Sequence, residues 1–578
     1  MPLARLSLLP AALCALGLLA ESAPALPRAV DPAPDPSPVV AAGAFANGPS
    51  FPGGAPALSA ITFEPNPNER APLVLFVRAT TDVPARAVVH LDGGLWPLTV
   101  TPSDELATDH DLIVLGAHAD TDYQVTLEVI DADGASTTSE PFAWTTPPLP
   151  DDFPPMHVTV SRPSRMEPGV TLIPANRWAG RGPPQQDGGA LFALDARGDV
   201  VWFFDAPWPV TEAKPRSNGN LLLYHGSRGN IVELDMTGAI VQQWYTTRLP
   251  GTVAPDGGIP IDAGTIHHEV IELPSGNLMA LSTEQWLIED YPTSESDPAA
   301  PWGASWVVGD LVLELSPDGE VLRRIDLMDI LDPLRIGYES LDPGFWKGVY
   351  TGSEEAPLRD WSHANSIHYD AARHEIIVSC YHLDTVFAYD LDADELSWMV
   401  SFPDGWDDDW QPYLLAPKGD GLYPFHQHAA RLTPKDTLLM FDNGKYRARP
   451  FQQPMAAADS FSRAVEFKID REAMTFEQVW SYGGRPDEIF FTAFLGETDW
   501  LPETGHVLIT DGGRIRTPDG RFGVHPNQGQ KWARVLEVTH DEPAEVVFEV
   551  VFDDPTWGWT VYRSERLSSL YAERRVGR

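Results

Sequence analysis

The chain has 578 residues, 43% of them hydrophobic, and a formal net charge of −43 at pH 7. At roughly 100–200 residues per domain it is too long for one ordinary domain unless a repeat enlarges it. So acidic a surface excludes nucleic acid and anionic membrane as partners, since both are held by clustered basic residues, and an anionic substrate would need a few cations or donors placed locally.

The chain opens MPLARLSLLPAALCALGLLAESAPA, with one arginine, an apolar run from Leu6 to Ala20, and Ala23-Pro24-Ala25 as a cleavage site. This predicts a signal peptide over residues 1–25 and a periplasmic or secreted mature protein. The run is short for a membrane helix, which needs about 20 apolar residues. Removing it leaves Cys380 as the sole cysteine, so no internal disulfide can form and the thiol reads as a small buried apolar group. Residues 26–58, rich in Pro, Ala and Gly, read as an extended linker.

Residues 59–150 carry short alternating runs, among them LVLFVRAT, ARAVVHLDG and DYQVTLEVIDADG, separated by turn residues. They predict a small immunoglobulin- or fibronectin III-like β-sandwich, ended by the Pro-rich TTPPLPDDFPP. From 151 to 578 a strand pair recurs: LFALDARGDVVWFF at Leu191, IVELDMTGAIVQQW at Ile231, LVLELSPDGEVLRRI at Leu311, VFAYDLDADELSWMV at Val386, AVEFKIDREAMTFEQVW at Ala464 and VLEVTHDEPAEVVFEV at Val535. Most of these six copies follow another hairpin-like pair, such as NGNLLLYHGSRGN or TGHVLITDGGR, giving about four strands per repeat. The fold class expected is therefore all-β, with a six-bladed β-propeller as the catalytic domain. Asp326 to Ile336 and the tail from Arg563 to Arg578 are the best helical candidates, and insertions such as Asp290 to Trp306 read as loops on one face.

Three histidine-led strand starts stand out, beginning at His267 (HHEVIELPSGNLMAL), at His363 (HANSIHYDAARHEIIVS) and at Phe425 (FHQHAARLTPKDTLLMFDNG). Residues two apart on a strand share a face, so His363 goes with Asn365 and His426 with His428. An imidazole, with an unperturbed pKa of about 6.5, offers a neutral attacking nitrogen at neutral pH, and the Asn365 amide offers a donor for developing negative charge. His268, His363 and His428 open strands of different repeats at comparable positions, which points to a shared site. His368, His374, His382, His506, His525 and His540 read as hydrogen-bonded structural residues. Asp442-Asn443-Gly444 is a turn signal in its own right, and Trp361, beside His363, is a candidate aromatic wall.

The segments HANSIHYDAARHEIIVSCYHLDTVFAYDLD, FHQHAARL…LLMFDNG and SFSRAVEFKIDREAMTFEQVWSYG resemble the central motifs of the bacterial aryl-sulfate sulfotransferases, exported enzymes that need no nucleotide sulfate donor. The resemblance covers most of the repeats and extends to the N-terminal β-domain and the signal peptide. It implies a propeller that moves a sulfuryl group from a phenolic sulfate ester to another phenol by a ping-pong route through a sulfohistidine, with no cofactor and no metal. It implies His428 as the nucleophile and His268, His363 and Asn365 as further channel residues, with His267 alongside in substrate binding. Where the family reads Ser-Ser-Arg-His, this chain has Ser379-Cys380-Tyr381-His382, so Tyr381 replaces an arginine that would bind sulfate oxygens. Arg463, in the shared SFSRAVEF motif, is the first candidate to supply that charge, ahead of Lys445, Arg447 and Arg449. The partners so implied are small phenolic sulfates and phenols, with a homodimer left open. Two rival readings keep the propeller: a metal-dependent hydrolase with His426 and His428 as ligands, and a non-catalytic binding protein.

Overall fold

The computed structural model describes residues 29–30, 54–178, 188–225, 229–419, 422–485, 488–556 and 558–571. The signal peptide and most of the linker expected from the sequence lie outside these residues. The described chain is all-β, with one short α-helix, Leu327–Ile330. That helix begins where helix is expected, capped by the Asp326 side chain accepting from Met328 N. It stops early because Pro333 disfavours helical backbone at Asp332.

Each of the six sequence copies supplies a hairpin to a different sheet. LFALDARGDVVWFF becomes the antiparallel pair Gly189–Leu194 and Val200–Ala206, and VLEVTHDEPAEVVFEV lies within Gln530–Val538 and Val546–Phe552. The acidic turn residue of the repeat has a local task. Asp195 Oδ1 accepts from Arg197 N and Asp199 N at 2.8 and 3.0 Å, and Asp235 Oδ1 does the same for Thr237 N and Ala239 N. These Asx turns need a left-handed residue to reverse the chain, and Gly198 and Gly238 provide it at φ of 83° and 77°.

The sheets succeed one another as in a β-propeller. Strands β1 (Val210–Pro215), β2 (His267–Glu272), β3 (Ala364–Asp370), β4 (His428–Leu432) and β5 (Glu497–Trp500) each end a sheet and lie against the next in chain order. The two ends of the chain close the ring. Strand β6 (Gly558–Val561) and Glu565–Leu567 pair antiparallel with Val170–Trp178, completing the first sheet, while His157–Ser161 pairs with Val546–Phe552 in the last. The helix expected from Arg563 onward is thus corrected: Glu565–Leu567 is a strand, recruited because the edge Val170–Trp178 has backbone groups to satisfy. Residues 572–578 lie outside the described residues.

Leu58 to Thr145 form a separate seven-stranded antiparallel sheet around Leu75, Val89, Tyr123, Leu127 and Trp144. It docks on the end of a strand of the first propeller sheet and on a turn of the second. Asn66 Nδ2 donates to Thr237 O at 2.9 Å, Asn68 Nδ2 to Gly238 O at 2.8 Å, and Arg70 Nη1 to Asp205 O at 2.8 Å.

Gly512 sits in Val507–Arg516 against the closing strand, and a Cβ built there would stand 1.6 Å from the Val561 carbonyl oxygen. Gly512→Ala is therefore expected to force β6 away and to cost about 1–3 kcal/mol in urea unfolding. An unchanged midpoint and slope would mean that the ring is not clamped at this contact.

Candidate active site

The three histidine-led strands share one irregularity. The register of β2 shifts between His267 and Val270, that of β3 between Ala364 and Ser366, and that of β4 between His428 and Arg431. Beside these shifts His268, His363 and Ala429 adopt left-handed φ values of 55°, 47° and 53°. Bulges re-aim side chains next to functional sites, and a left-handed non-glycine residue costs about 1–2 kcal/mol. The result is that rings from three sheets meet. His268 and His363 are 4.9 Å apart between centroids, Tyr381 lies 5.5 Å from His363 and 5.1 Å from His428, and Tyr562 lies 5.9 Å from His268 and 6.2 Å from His428. Phe345 covers His268 and His363 at 5.0 and 5.1 Å.

Hydrogen bonds assign each imidazole a protonation pattern. Asn443 Nδ2 donates to the Thr492 and Leu495 carbonyls at 2.9 and 2.7 Å, so its Oδ1 must be the acceptor that meets His428 Nδ1 at 2.7 Å. His428 therefore carries its proton on Nδ1 and leaves the Nε2 lone pair free. His363 Nδ1 donates to Asp360 Oδ2 at 2.7 Å, and Asp360 Oδ1 accepts from Trp346 Nε1 at 3.1 Å. His267 Nε2 faces the Ser282 carbonyl at 3.1 Å and the Asp310 carboxylate at 3.2 Å, and its Nδ1 meets His268 Nδ1 at 2.7 Å. In His363 and His428, Nε2 is the nitrogen left for chemistry.

Burial then separates the three. It pulls His428 down to about 3 and His268 well below the ordinary imidazole value, helped in each case by neighbouring His363 and Arg563. Burial acts the same way on His363, but the Asp360 carboxylate outweighs it and the net shift is upward. Two imidazoles held neutral by burial thus face one whose affinity for a second proton is raised. Arg563, 1% exposed, is the buried cation of the site. Its Nη1 pairs with Glu212 and Glu269 at 2.6 and 2.5 Å and its Nη2 donates to Asn365 O at 2.6 Å.

His267, His268, His363, Tyr381 and His428 are brought together. Asn365 braces β3 to the segment before β4, donating from Nδ2 to Gln427 O at 2.7 Å. Two candidates are not brought in. Arg463 lies on Arg463–Asp470, two strands away from β4 in its sheet, with its three nitrogens engaged by Asp442, Gln478 and the Leu422 carbonyl at 2.7, 2.7 and 2.9 Å. Trp361 is fully buried in a core with Leu327, Leu331 and Leu383, its Nε1 donating to Arg335 O at 2.9 Å. The aromatic walls are Phe345, Tyr381 and Tyr562 instead. Lys445 and Arg449 are paired with Glu339 and Asp404, and Arg447 Nη2 donates to Asp442 and to the Phe461 carbonyl.

Sequence reasoning missed Asp360, Asn443, Phe345, Tyr562 and Arg563 as site residues. Asp360 had a signal, three residues ahead of His363, and Asn443 had the Asp-Asn-Gly turn. Tyr562 and Arg563 follow the closing strand, outside the repeat, and carried none. Among the described residues, Asp360, His363 and His382 place potential metal-ligating atoms within 4.8 Å of one another. Both Nδ1 atoms already face Asp360, one its carboxylate and one its carbonyl, at 2.7 Å each. That is the arrangement of a carboxylate-held histidine.

A family model described as arylsulfotransferase (ASST) matches residues 158–563. The arylsulfate sulfotransferase AssT of Escherichia coli O6:H1 is 27% identical over 413 residues, 63% of this chain and 65% of that protein. AssT of Lelliottia amnigena is 27% identical over 362 residues, 55% of this chain and 56% of that protein. The chain thus spans less than two thirds of the length of these relatives. Among solved structures, the β-propeller domain of Myceliophteria thermophila Cps50 (Swd1) aligns at 10% identity and a TM-score of 0.29, over 69% of this chain and 100% of that domain.

The unfolded chain takes up protons at His268, His382 and His428 near the ordinary imidazole value of 6.5, whereas burial makes the folded chain hold off to about 4 for His382 and about 3 for His428. The unfolded state therefore binds more protons below that value, so stability is full above pH 6.5 and declines as pH falls toward 3. Urea unfolding across this range is expected to show the decline, and His428→Gln to flatten it; an equal slope in the variant would contradict the burial of a neutral imidazole. Nitrogen NMR is expected to find the His428 proton on Nδ1, and Asn443→Ala to remove that preference.

Proposed function

The chain belongs to the arylsulfotransferase family, and from that premise we propose that it carries a sulfuryl group from a phenolic sulfate ester to a phenol by two displacements at His428. The Nε2 lone pair of His428 attacks sulfur in line with the ester oxygen. The N–S bond forms, the S–O bond breaks with its electron pair on the phenolate, and His363 Nε2 gives that phenolate its proton. His428 is left as an Nε2-sulfo imidazolium whose Nδ1–H stays on Asn443. A second phenol then enters, loses its proton to the now neutral His363, and attacks sulfur. The N–S pair returns to Nε2 and His363 is protonated again, so both groups end as they began.

The observation that carries this reading is the contrasting hydrogen bonding of two neighbouring histidines. His428 Nδ1 is held by Asn443 Oδ1, which leaves Nε2 for attack while burial keeps the ring neutral, and His363 Nδ1 is held by the Asp360 carboxylate, which pushes its pKa upward. The charge that collects on sulfate oxygens in a loose transition state is met by the His363 imidazolium and, from farther back, by Arg563. Tyr381, standing where the resembled enzymes have an arginine, gives its hydroxyl proton to the Ala493 carbonyl at 2.7 Å and serves as a wall. Included in the proposal are the six sheets as six blades, residues 59–150 as a distinct domain, and export of the chain by residues 1–25.

Incubation with para-nitrophenyl sulfate followed by peptide mass mapping is expected to find one SO3 group on the His428 peptide, absent in His428→Ala. Near wild-type transfer by His428→Ala would sink the proposal. Asn443→Ala is expected to slow transfer about 10–100-fold while leaving the adduct on the same peptide. The rate is expected to fall as pH rises through the raised pKa of His363, a limb that His363→Gln should lose. Chelators are expected to leave the rate unchanged; their inhibiting it would favour a metal-dependent hydrolase instead.

A further inference from the structure

A cavity of roughly 620 Å³ is lined by Glu295, Tyr338, Glu339, Asp342, Tyr446 and His525 among others. It is linked to the histidine site through the buried rings of His426 and Tyr381 and through the chain leading to Phe345. Tyr446 lies 5.5 Å from His426, which lies 4.5 Å from Tyr381, itself 5.1 Å from His428. The wall running from Tyr338 through Pro343 also continues directly into Phe345, the residue that covers His268 and His363.

The lining has an uneven balance of charge. Lys445 Nζ holds both carboxylate oxygens of Glu339 at 2.6 Å and so neutralises that group. Glu295, half-buried, receives Leu341 N at 2.9 Å, and exposed Asp342 receives Gly344 N at 2.9 Å. Among the described residues neither has a basic side chain at ion-pair distance; burial raises the Glu295 carboxyl above its ordinary range, so the exposed Asp342 is the principal uncompensated carboxylate. Between the two carboxyl groups stand the rings of Tyr338 and Tyr446, with centroids 5.3 Å apart and planes inclined at 49°. Aromatic faces and uncompensated carboxylates attract the same kind of group, an organic ammonium. They also repel an anionic side chain.

We infer that this cavity is an acceptor subsite for phenols bearing a protonated amine, with the ammonium group received by Asp342 and Glu295 against Tyr338 and Tyr446. The inference rests on the transfer reading above for the phenol's fate, though not for its binding. It assigns donor and acceptor to different charge environments. The anionic sulfate ester depends on donors at the histidines, whereas the acceptor is drawn by the acidic mouth. The whole chain's net charge of −43 adds to that preference.

Calorimetric titration of the full chain with tyramine, para-ethylphenol and para-hydroxyphenylpropionate tests this without requiring turnover. Tyramine is expected to bind most tightly and the propionate least, with the spread narrowing as salt is raised. Asp342→Asn and Glu295→Gln keep the acceptors for Gly344 N and Leu341 N, and each is expected to reduce the tyramine-to-ethylphenol affinity ratio roughly two- to fivefold. Equal binding of the three compounds, or a ratio unmoved by both substitutions, would overturn the inference. With para-nitrophenyl sulfate as donor, the same ratio is read from kcat/KM. If His428 takes up no SO3, the transfer reading fails alone and the titration still decides the subsite.

Discussion

The architecture depends on how the ring is fastened. Strand β6 and Glu565–Leu567 pair with Val170–Trp178, so the last described residues complete the first propeller sheet, and the turn between them delivers Tyr562 and Arg563 to the histidines. Arg563 reaches Glu212 on β1, Glu269 on β2 and the carbonyl of Asn365 on β3. One guanidinium thus ties three inner strands to the closing segment. A buried charge of this kind stabilises little by itself, since desolvation offsets its pairing, but leaving its partners unpaired is costly. Closure and site assembly are in this sense one event.

The same network explains how so acidic a protein can offer a site to an anion. Its cations are spoken for: Arg563 by Glu212 and Glu269, His363 by Asp360, Lys445 by Glu339. Among the described residues no bare positive patch faces the rings, and with Tyr381 in place of an arginine the burden moves to directed donors and to imidazoles whose proton affinities are shifted in opposite directions. Such a site stabilises charge where it develops during reaction more than it captures a free anion beforehand. Under the proposed transfer, donor selection would rest on shape and on the aromatic walls of Phe345, Tyr381 and Tyr562.

What could be read from the residues alone follows from what is periodic. Every hairpin copy, from Leu191 to Val535, landed in its own sheet because alternation and an acidic or glycine-containing turn are local properties of the chain. His268, His363 and His428 were legible for the same reason, each opening an inner strand. The failures come from long-range pairing and from backbone irregularities that the alternation pattern does not show. Arg463 shares a motif with its neighbours, but its register opposite Asp442 decides that it is a brace. Trp361 sits two residues from a site histidine yet faces the core, because the left-handed turn at His363 reverses the side-chain alternation. The basic tail after Arg563 looked like a helix since nothing in it advertises an open edge some four hundred residues earlier in the chain, at Val170–Trp178.

The left-handed backbone at His268 and His363 implies a trade between durability and chemistry. Glycine relaxes such a conformation and alanine does not, so comparing the two replacements at either position isolates what the main chain surrenders to present its imidazole. A lineage drifting away from sulfuryl chemistry would gain by admitting glycine there. Retention of a bulkier residue at both places in any descendant would mark selection acting on reactivity against the grain of the fold.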